Sequence, residues 1–381
     1  MRLRILLALV GVLCVAVSPS RLAAQSGCPR RIAFGLNDAE SMNGSIRVVE
    51  SDRPDPDAGR SVATGPFVIP LAWSPDGDRL LFIGVLDGDE EILREYEELT
   101  FHSLLYSVGF DGSGLVRVVD VPVMLPAWSP DGSRIAFTSS FEASKSSRDG
   151  SGPPASALYV VESSGGIPRR LTTLEGDHGA ALWGPSGDRI AVEIDIRESG
   201  PPRPEIFVVD VASGRSVELV DSPTADQQPV WSPDGSRLAF SRERMSFQAG
   251  PILHDLYLVD ADGGVPRPLT REDGAWKAVG WSPDGAVVYA VAVRLIGIEV
   301  ETGERSDLTN ELGLPPLNAP RLDPDGRRLV FWTREDPHDS AQERWLESLD
   351  LASGSRHRIA RIPAETSYDV AWTACLSQPD P

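Results

Sequence analysis

Short apolar runs, each opened by Arg, recur along the chain as Arg79-Leu80-Leu81-Phe82, Arg134-Ile135-Ala136-Phe137, Arg189-Ile190-Ala191-Val192, Arg237-Leu238-Ala239-Phe240 and Arg328-Leu329-Val330-Phe331. Runs this short, bounded by Gly, Pro, Asp and Ser, predict β-strands and not helices. A further strand follows in each unit, as Leu158-Tyr159-Val160-Val161, Ile206-Phe207-Val208-Val209 or Leu256-Tyr257-Leu258-Val259. A last one lies around Arg169-Arg170-Leu171, Ser216-Val217-Glu218-Leu219 or Pro268-Leu269-Thr270. With the apolar residues before the turn, each unit predicts a four-stranded antiparallel sheet. One unit departs, with Val287 in place of the opening Arg.

The turn ahead of each Arg is itself a repeat. Trp73-Ser74-Pro75-Asp76-Gly77 returns as Trp128-Ser129-Pro130-Asp131-Gly132, Trp231-Ser232-Pro233-Asp234-Gly235 and Trp281-Ser282-Pro283-Asp284-Gly285. Degenerate copies stand at Trp183-Gly184-Pro185-Ser186-Gly187 and Leu322-Asp323-Pro324-Asp325-Gly326. Pro presets the first turn dihedral, Asp bonds its own backbone two residues on, and Gly takes the positive φ that other residues avoid. The lead positions are 55, 55, 48, 50 and 41 residues apart, a period that signals propellers or solenoids. Four strands per period is the blade of a β-propeller, and the repeated Trp is expected to pack between blades as core.

The chain ends supply one more blade. Tyr368-Asp369-Val370-Ala371-Trp372 reads as a first strand, 50 residues after Leu322. Arg31-Ile32-Ala33-Phe34, Ser45-Ile46-Arg47-Val48-Val49 and Arg60-Ser61-Val62-Ala63 read as its second, third and fourth strands. The expectation is an all-β, seven-bladed β-propeller of four-stranded antiparallel blades, the last closed by residues 31–64 and 368–373. Cys375 lies three after Trp372, and Cys28 four before Ile32. Both fall on the Asp slot of the interrupted turn, so a Cys28–Cys375 disulfide would replace the missing hairpin; two unpaired thiols are the alternative. A bridge spanning so long a loop is worth roughly 5 kcal/mol on a chain-entropy estimate.

The first residues read differently. Arg2 and Arg4 precede an almost wholly apolar Ile5 to Val17, and Leu22-Ala23-Ala24 follows, the pattern of a secretory signal peptide over residues 1–24. That leaves residues 25–381 as one propeller domain, periplasmic or extracellular, where a disulfide persists. Gln25-Ser26-Gly27-Cys28 offers a second reading as a lipid-anchor site at Cys28. The apolar run of about 13 residues is shorter than the roughly 20 needed for a spanning helix. With 36 Lys and Arg against 56 Asp and Glu, the net charge of −20 disfavours nucleic acid and anionic lipid as partners.

The Trp-Ser-Pro-Asp-Gly turn, with its following Arg and aliphatic pair, resembles the TolB-like propellers, relatives of WD40-type repeat proteins. The resemblance spans residues 29 to 375. It implies the propeller fold and leaves function open, since such propellers include a periplasmic Tol-Pal component, the gating domains of prolyl oligopeptidase-like hydrolases and pectin-fragment lyases. TolB itself carries an amino-terminal α/β domain ahead of six blades, whereas blade sequence here begins at Arg31.

Function is expected where repeat length varies. The excess sits between strands two and three, from Val85 to Phe101, Ser139 to Ser156, Asp195 to Pro204, Arg242 to Leu253 and Thr333 to Arg344. In an antiparallel blade these connections share one face with the blade-to-blade links, and such loops carry binding surfaces on a rigid scaffold. Asp87 to Glu98 reads as a short amphipathic helix through Ile92, Leu93 and Tyr96, either a lid on its own blade or a partner-binding helix. The links offer Asp177, His178, Asp226, Gln227, Gln228, Trp276, Lys277, Asn318, Tyr368 and Asp369 as candidates for a channel mouth that holds a protein, peptide or glycan. The expectation is a monomeric binding or scaffolding module without a cofactor, and not an enzyme. The alternative is a metal-dependent polysaccharide lyase-like propeller, for which His102, His178, His254 and His338 are the candidate ligands on the same face. Gly184-Pro185-Ser186-Gly187 misses a nucleophile elbow by one position, and with six residues after Cys375 no attached hydrolase domain is expected.

Overall fold

The computed structural model describes residues 31–38, 43–50, 59–94, 103–142, 156–174, 176–196, 203–244, 253–271, 274, 276–292, 294–314, 318–322, 326–334, 344–362 and 370–372. The chain is an all-β propeller of four-stranded antiparallel blades. Six blades follow in chain order over residues 67–119, 124–170, 177–218, 226–268, 277–306 and 318–362. A further four-stranded sheet draws on both ends, with Val370–Trp372 beside Arg31–Asp38, then Asn43–Glu50 and Arg60–Gly65. In it Ile32 pairs with Trp372 and Phe34 with Val370, the register expected from the repeat.

Strand alternation puts one side of each sheet against the preceding blade and the other against the next. Ile190, Val192 and Ile194 of the third blade join Leu158 and Val160 of the second, while Ala191 and Val208 join Leu238 and Phe240 of the fourth. The core is therefore a series of flat hydrophobic layers between neighbouring sheets. Trp73, Trp128, Trp183, Trp231 and Trp281 are all buried in those layers, as the sequence predicted.

The repeated turn explains how the layers are locked. In the second blade Ser129 Oγ donates to Asp131 Oδ1 at 2.6 Å, Ser133 N donates to the same oxygen at 3.1 Å, and Arg134 N donates to Ser129 Oγ at 2.9 Å. The same three bonds recur at Ser74, Ser232 and Ser282. Each indole then reaches back one blade: Nε1 of Trp183, Trp231 and Trp281 donates to the carbonyls of Ala127, Leu182 and Val230 at 3.1, 3.0 and 3.1 Å. The Arg reaches forward one blade, Arg134 to the Gly187 carbonyl and Arg189 to the Gly235 carbonyl, both at 2.9 Å. Arg31 does the same to Gly77 at 2.9 Å, so the amino-terminal strand fills a true second-strand slot. At Gly187, φ is +74°, and a Cβ there would sit 3.5 Å from the Pro130 ring of the preceding turn.

Within the helix expected over 87–98, residues Glu90–Arg94 are helical; residues 95–98, Tyr96 among them, lie outside the described residues. Ile92 packs on the layer that holds Trp73, Leu80 and Phe82, a contact the lid reading expects. No helix among the described residues is long and apolar enough to cross a membrane.

Candidate functional site

Strand one of each blade begins on the face opposite the repeated turns, and strand two ends there. In the third blade Asp177 pairs with Asp195, and the connection from 196 to 204 leaves from that end. The long connections and the blade-to-blade links thus share one face, as expected. Every complete first strand also breaks register near this end, for example between His178 and Ala181, Gln227 and Val230, and Ala278 and Gly280. Such bulges re-aim side chains at the rims of barrels and sites.

The candidate residues differ in exposure. Asp177 and Lys277 are exposed, and Gln227, Gln228 and Trp276 are half-buried. His178 is 5% exposed. Its Nε2 lies 2.9 Å from Thr172 Oγ1 and its Nδ1 3.1 Å from the Gly176 carbonyl, while its backbone N donates to Ser156 Oγ at 2.7 Å. Burial drives its pKa down to about 4, so it is a neutral core histidine tying the link to its blade. Asp226 is fully buried and takes a bidentate pair from Arg242, at 2.7 and 2.8 Å. Arg242 lies over Tyr257 at 4.6 Å and Phe240 at 5.4 Å, so this pair braces the first two strands of the fourth blade. Burial raises the Asp226 carboxyl, opposed by Arg242. The expectation that His178 and Asp226 line the open rim is corrected on both counts.

Asn318 opens the strand Asn318–Leu322 and pairs with Trp332. Tyr368, Asp369, His102, His338, Cys28 and Cys375 lie outside the described residues. Among the described residues no three His, Cys, Asp or Glu side chains gather as a metal set. His178, with both ring nitrogens already in hydrogen-bond contact, does not fit the role of a ligand. Ser186 Oγ is bonded to Asp188 within its turn, on the face away from the long connections.

Two polar residues here escaped the sequence reading. Glu193 Oε1 accepts the Gln228 backbone N–H across the gap to the next blade at 2.7 Å. Gln228 adopts a left-handed backbone, φ 55°, a conformation that non-glycine residues hold only where surroundings impose it. Burial pushes the Glu193 carboxyl up to about 6, partly offset by that Gln228 bond. Ser241 occupies the same slot one blade later, and its buried Oγ has no partner among the described residues. The signal was present in the repeat: ten residues after the Trp, other blades carry Ile83, Thr138 and Val291, and Glu193 is the charged exception among them.

Known proteins share the fold. An uncharacterized peptidase of Bacillus subtilis (strain 168), YuxL, is 29% identical over 131 residues, which is 33% of this chain; the chain spans only 17% of that relative's length. TolB from Acinetobacter baumannii superposes with a TM-score of 0.50 at 18% identity, over 92% of this chain and 68% of that one. An oligogalacturonate lyase in complex with manganese superposes with a TM-score of 0.56 at 16% identity, over 91% of this chain and 86% of that one. Likenesses of that low identity show the fold alone. The profile of the TolB beta propeller domain matches residues 97–294, more than half of the sequence, and with the stacked blades and repeated turns described above the chain belongs to that family.

Proposed function

We propose that the protein is an exported binding or scaffolding propeller, a monomer that holds a protein, peptide or glycan partner at the face carrying the long strand-two to strand-three connections. Residues 1–24 serve as the export signal and residues 25–381 form a seven-bladed ring in the periplasm or outside the cell. The shared sheet closes that ring against the sixth blade, and a Cys28–Cys375 disulfide fastens it. The observation that carries the reading is the asymmetry between faces. One is a repeated lattice of turn hydrogen bonds, and the other gathers unrepeated polar groups, Asp177, Glu193, Gln227, Gln228, Trp276 and Lys277, around the links. A rigid ring that presents such groups loses little entropy on engaging a partner.

The lyase-like alternative needs several histidines with free ring nitrogens; both nitrogens of His178 are engaged, and among the described residues the candidate His254 keeps Nδ1 without a partner. Three measurements test the proposal. Cross-linked capture from the source cell envelope is expected to fall at least tenfold with Gln227→Ala plus Lys277→Glu and to persist with Asp284→Ala on the turn face; the reverse pattern overturns it. A stoichiometric bound metal lost in both His178→Ala and His254→Ala would overturn it in favour of the lyase. Non-reducing peptide mapping is expected to recover Cys28 joined to Cys375, and two free thiols would remove the clasp.

A further inference from the structure

Ser241 Oγ, His254 Nδ1 and Trp276 Nε1 are buried polar side-chain atoms that lack a hydrogen-bond partner among the described residues. All three belong to residues on one gap between blades. Ala239, Leu256 and Leu258 of the fourth blade pack with Trp281, Val288 and Ile296 of the fifth, and Trp276 packs on that layer. The strand Arg237–Glu243 alternates without a break, so Ser241 shares the side of Ala239, and its cross-strand partner is Leu256. His254 precedes Leu256 by two in the strand His254–Asp260 and faces the same gap, opposite Glu243. The Trp276 backbone N–H donates to the His254 carbonyl at 3.3 Å, which joins the link to this strand. Gly274 backs the indole so closely that a Cβ there would lie 2.8 Å from Nε1. All of this is at the loop-rich end of the gap.

Leaving a buried polar atom without a partner costs on the order of 1–3 kcal/mol, and three on one gap call for an occupant that is itself polar. The chemistry narrows the occupant. Indole N–H only donates, so it needs a lone pair and rejects an ammonium. Glu243 and Asp255 act on the His254 charge, Lys277 opposes them and Arg244 pairs with Asp255 at 2.7 Å, so the charges around the gap balance and call for no ion; burial holds His254 below the ordinary histidine value, so that one of its ring nitrogens accepts. A hydroxyl accepts from Trp276 and donates to His254 or Ser241 at once. We propose that the loop-rich end of the gap between the fourth and fifth blades is a subsite for a hydroxyl group of a neutral glycan, held by Ser241, His254 and Trp276. This rests on the loop-rich face being the binding face, and it narrows the partner to a carbohydrate.

The test is binding of the full chain to an array of neutral gluco-, manno- and chito-oligosaccharides, with uronate and sulfated oligosaccharides as comparators, followed by calorimetry on the best ligand. Ser241→Ala and Trp276→Phe each remove one polar atom and keep the packing. Each is expected to weaken neutral-glycan binding at least tenfold while leaving the melting temperature unchanged or higher. The inference is overturned by an array without a bound neutral glycan, by wild-type affinity in both variants, by binding confined to acidic glycans, or by a crystal structure with the bound glycan that holds an enclosed water only at these three atoms. If the array is blank while envelope capture still depends on Gln227 and Lys277, the binding face stands and only the carbohydrate reading fails.

Discussion

The two faces of the propeller are built from the same four strands and behave as different materials. On the turn face the same groups meet in blade after blade: a Ser hydroxyl to an Asp, an indole to the preceding carbonyl, an Arg to the following turn. On the loop-rich face the first-strand bulge recurs, as does a Thr hydroxyl that accepts from Leu158, Leu256 and Leu295 N–H, but the charged groups differ from blade to blade. The third blade contributes Glu193 to a left-handed Gln228, the fourth a buried Asp226–Arg242 pair and a second pair between Arg244 and Asp255 at 2.7 Å. Where repeats agree they describe the scaffold; where one differs from its siblings at a matched slot, it marks a place the scaffold does not explain.

The widest separation between the faces is expected in core truncation. Trp183→Ala removes a buried indole and its bond to Ala127 and should cost about 4 kcal/mol in urea unfolding, whereas Trp276→Ala, half-buried on the other face, should cost about 1 kcal/mol. Equal losses would erase the distinction. Acid comes next. The His178 pKa is depressed in the folded state, so the stability it contributes is present above about 6.5 and is lost as the pH falls toward about 4; the integrated loss is about 3 kcal/mol. In His178→Asn the unfolding free energy should be flatter across that window, and an unchanged slope would remove His178 from the core.

Glu193 titrates in the opposite sense. Its folded pKa is raised to about 6, so wild type is favoured below the unfolded value and loses that advantage as the pH rises through 6. Glu193→Gln, which keeps an acceptor for the Gln228 N–H, should be more stable than wild type by about 2 kcal/mol at pH 8 and equal to it near pH 4. Parallel pH curves for the two proteins would contradict this. Arg189→Ala, losing the Gly235 carbonyl and its place 5.3 Å over the Trp231 ring, should cost about 1 kcal/mol by thermal melting. The smallest expected effect is a gain: Gln228→Gly should stabilise by about 0.5 kcal/mol by relieving the left-handed backbone, and a loss would mean that the Gln side chain holds the link.

The fold was legible because repeat chemistry is local. The Pro-Asp-Gly turn, the Arg four-residue run and the Trp each act within a few residues of themselves, and the register of Ile32 against Trp372 follows from counting along the same template. The site was legible in outline only. Counting placed Asp177 and Asp226 together on one face, yet it could not tell that Arg242, sixteen residues on, would reach back to bury Asp226. Nor could it tell that Thr172 and Gly176 would enclose His178. Those outcomes depend on which way a bulged strand turns its side chains, and the bulge has no signature in hydrophobic alternation.

The fastening between successive sheets runs from an indole in one repeat to a carbonyl at the matching place in the repeat before it. A unit duplicated in tandem would bring both halves of that fastening with it, ready to grip the older copy and to be gripped by the next. Growth or loss by whole units therefore asks for no new packing rule, only for a circumference that still meets itself.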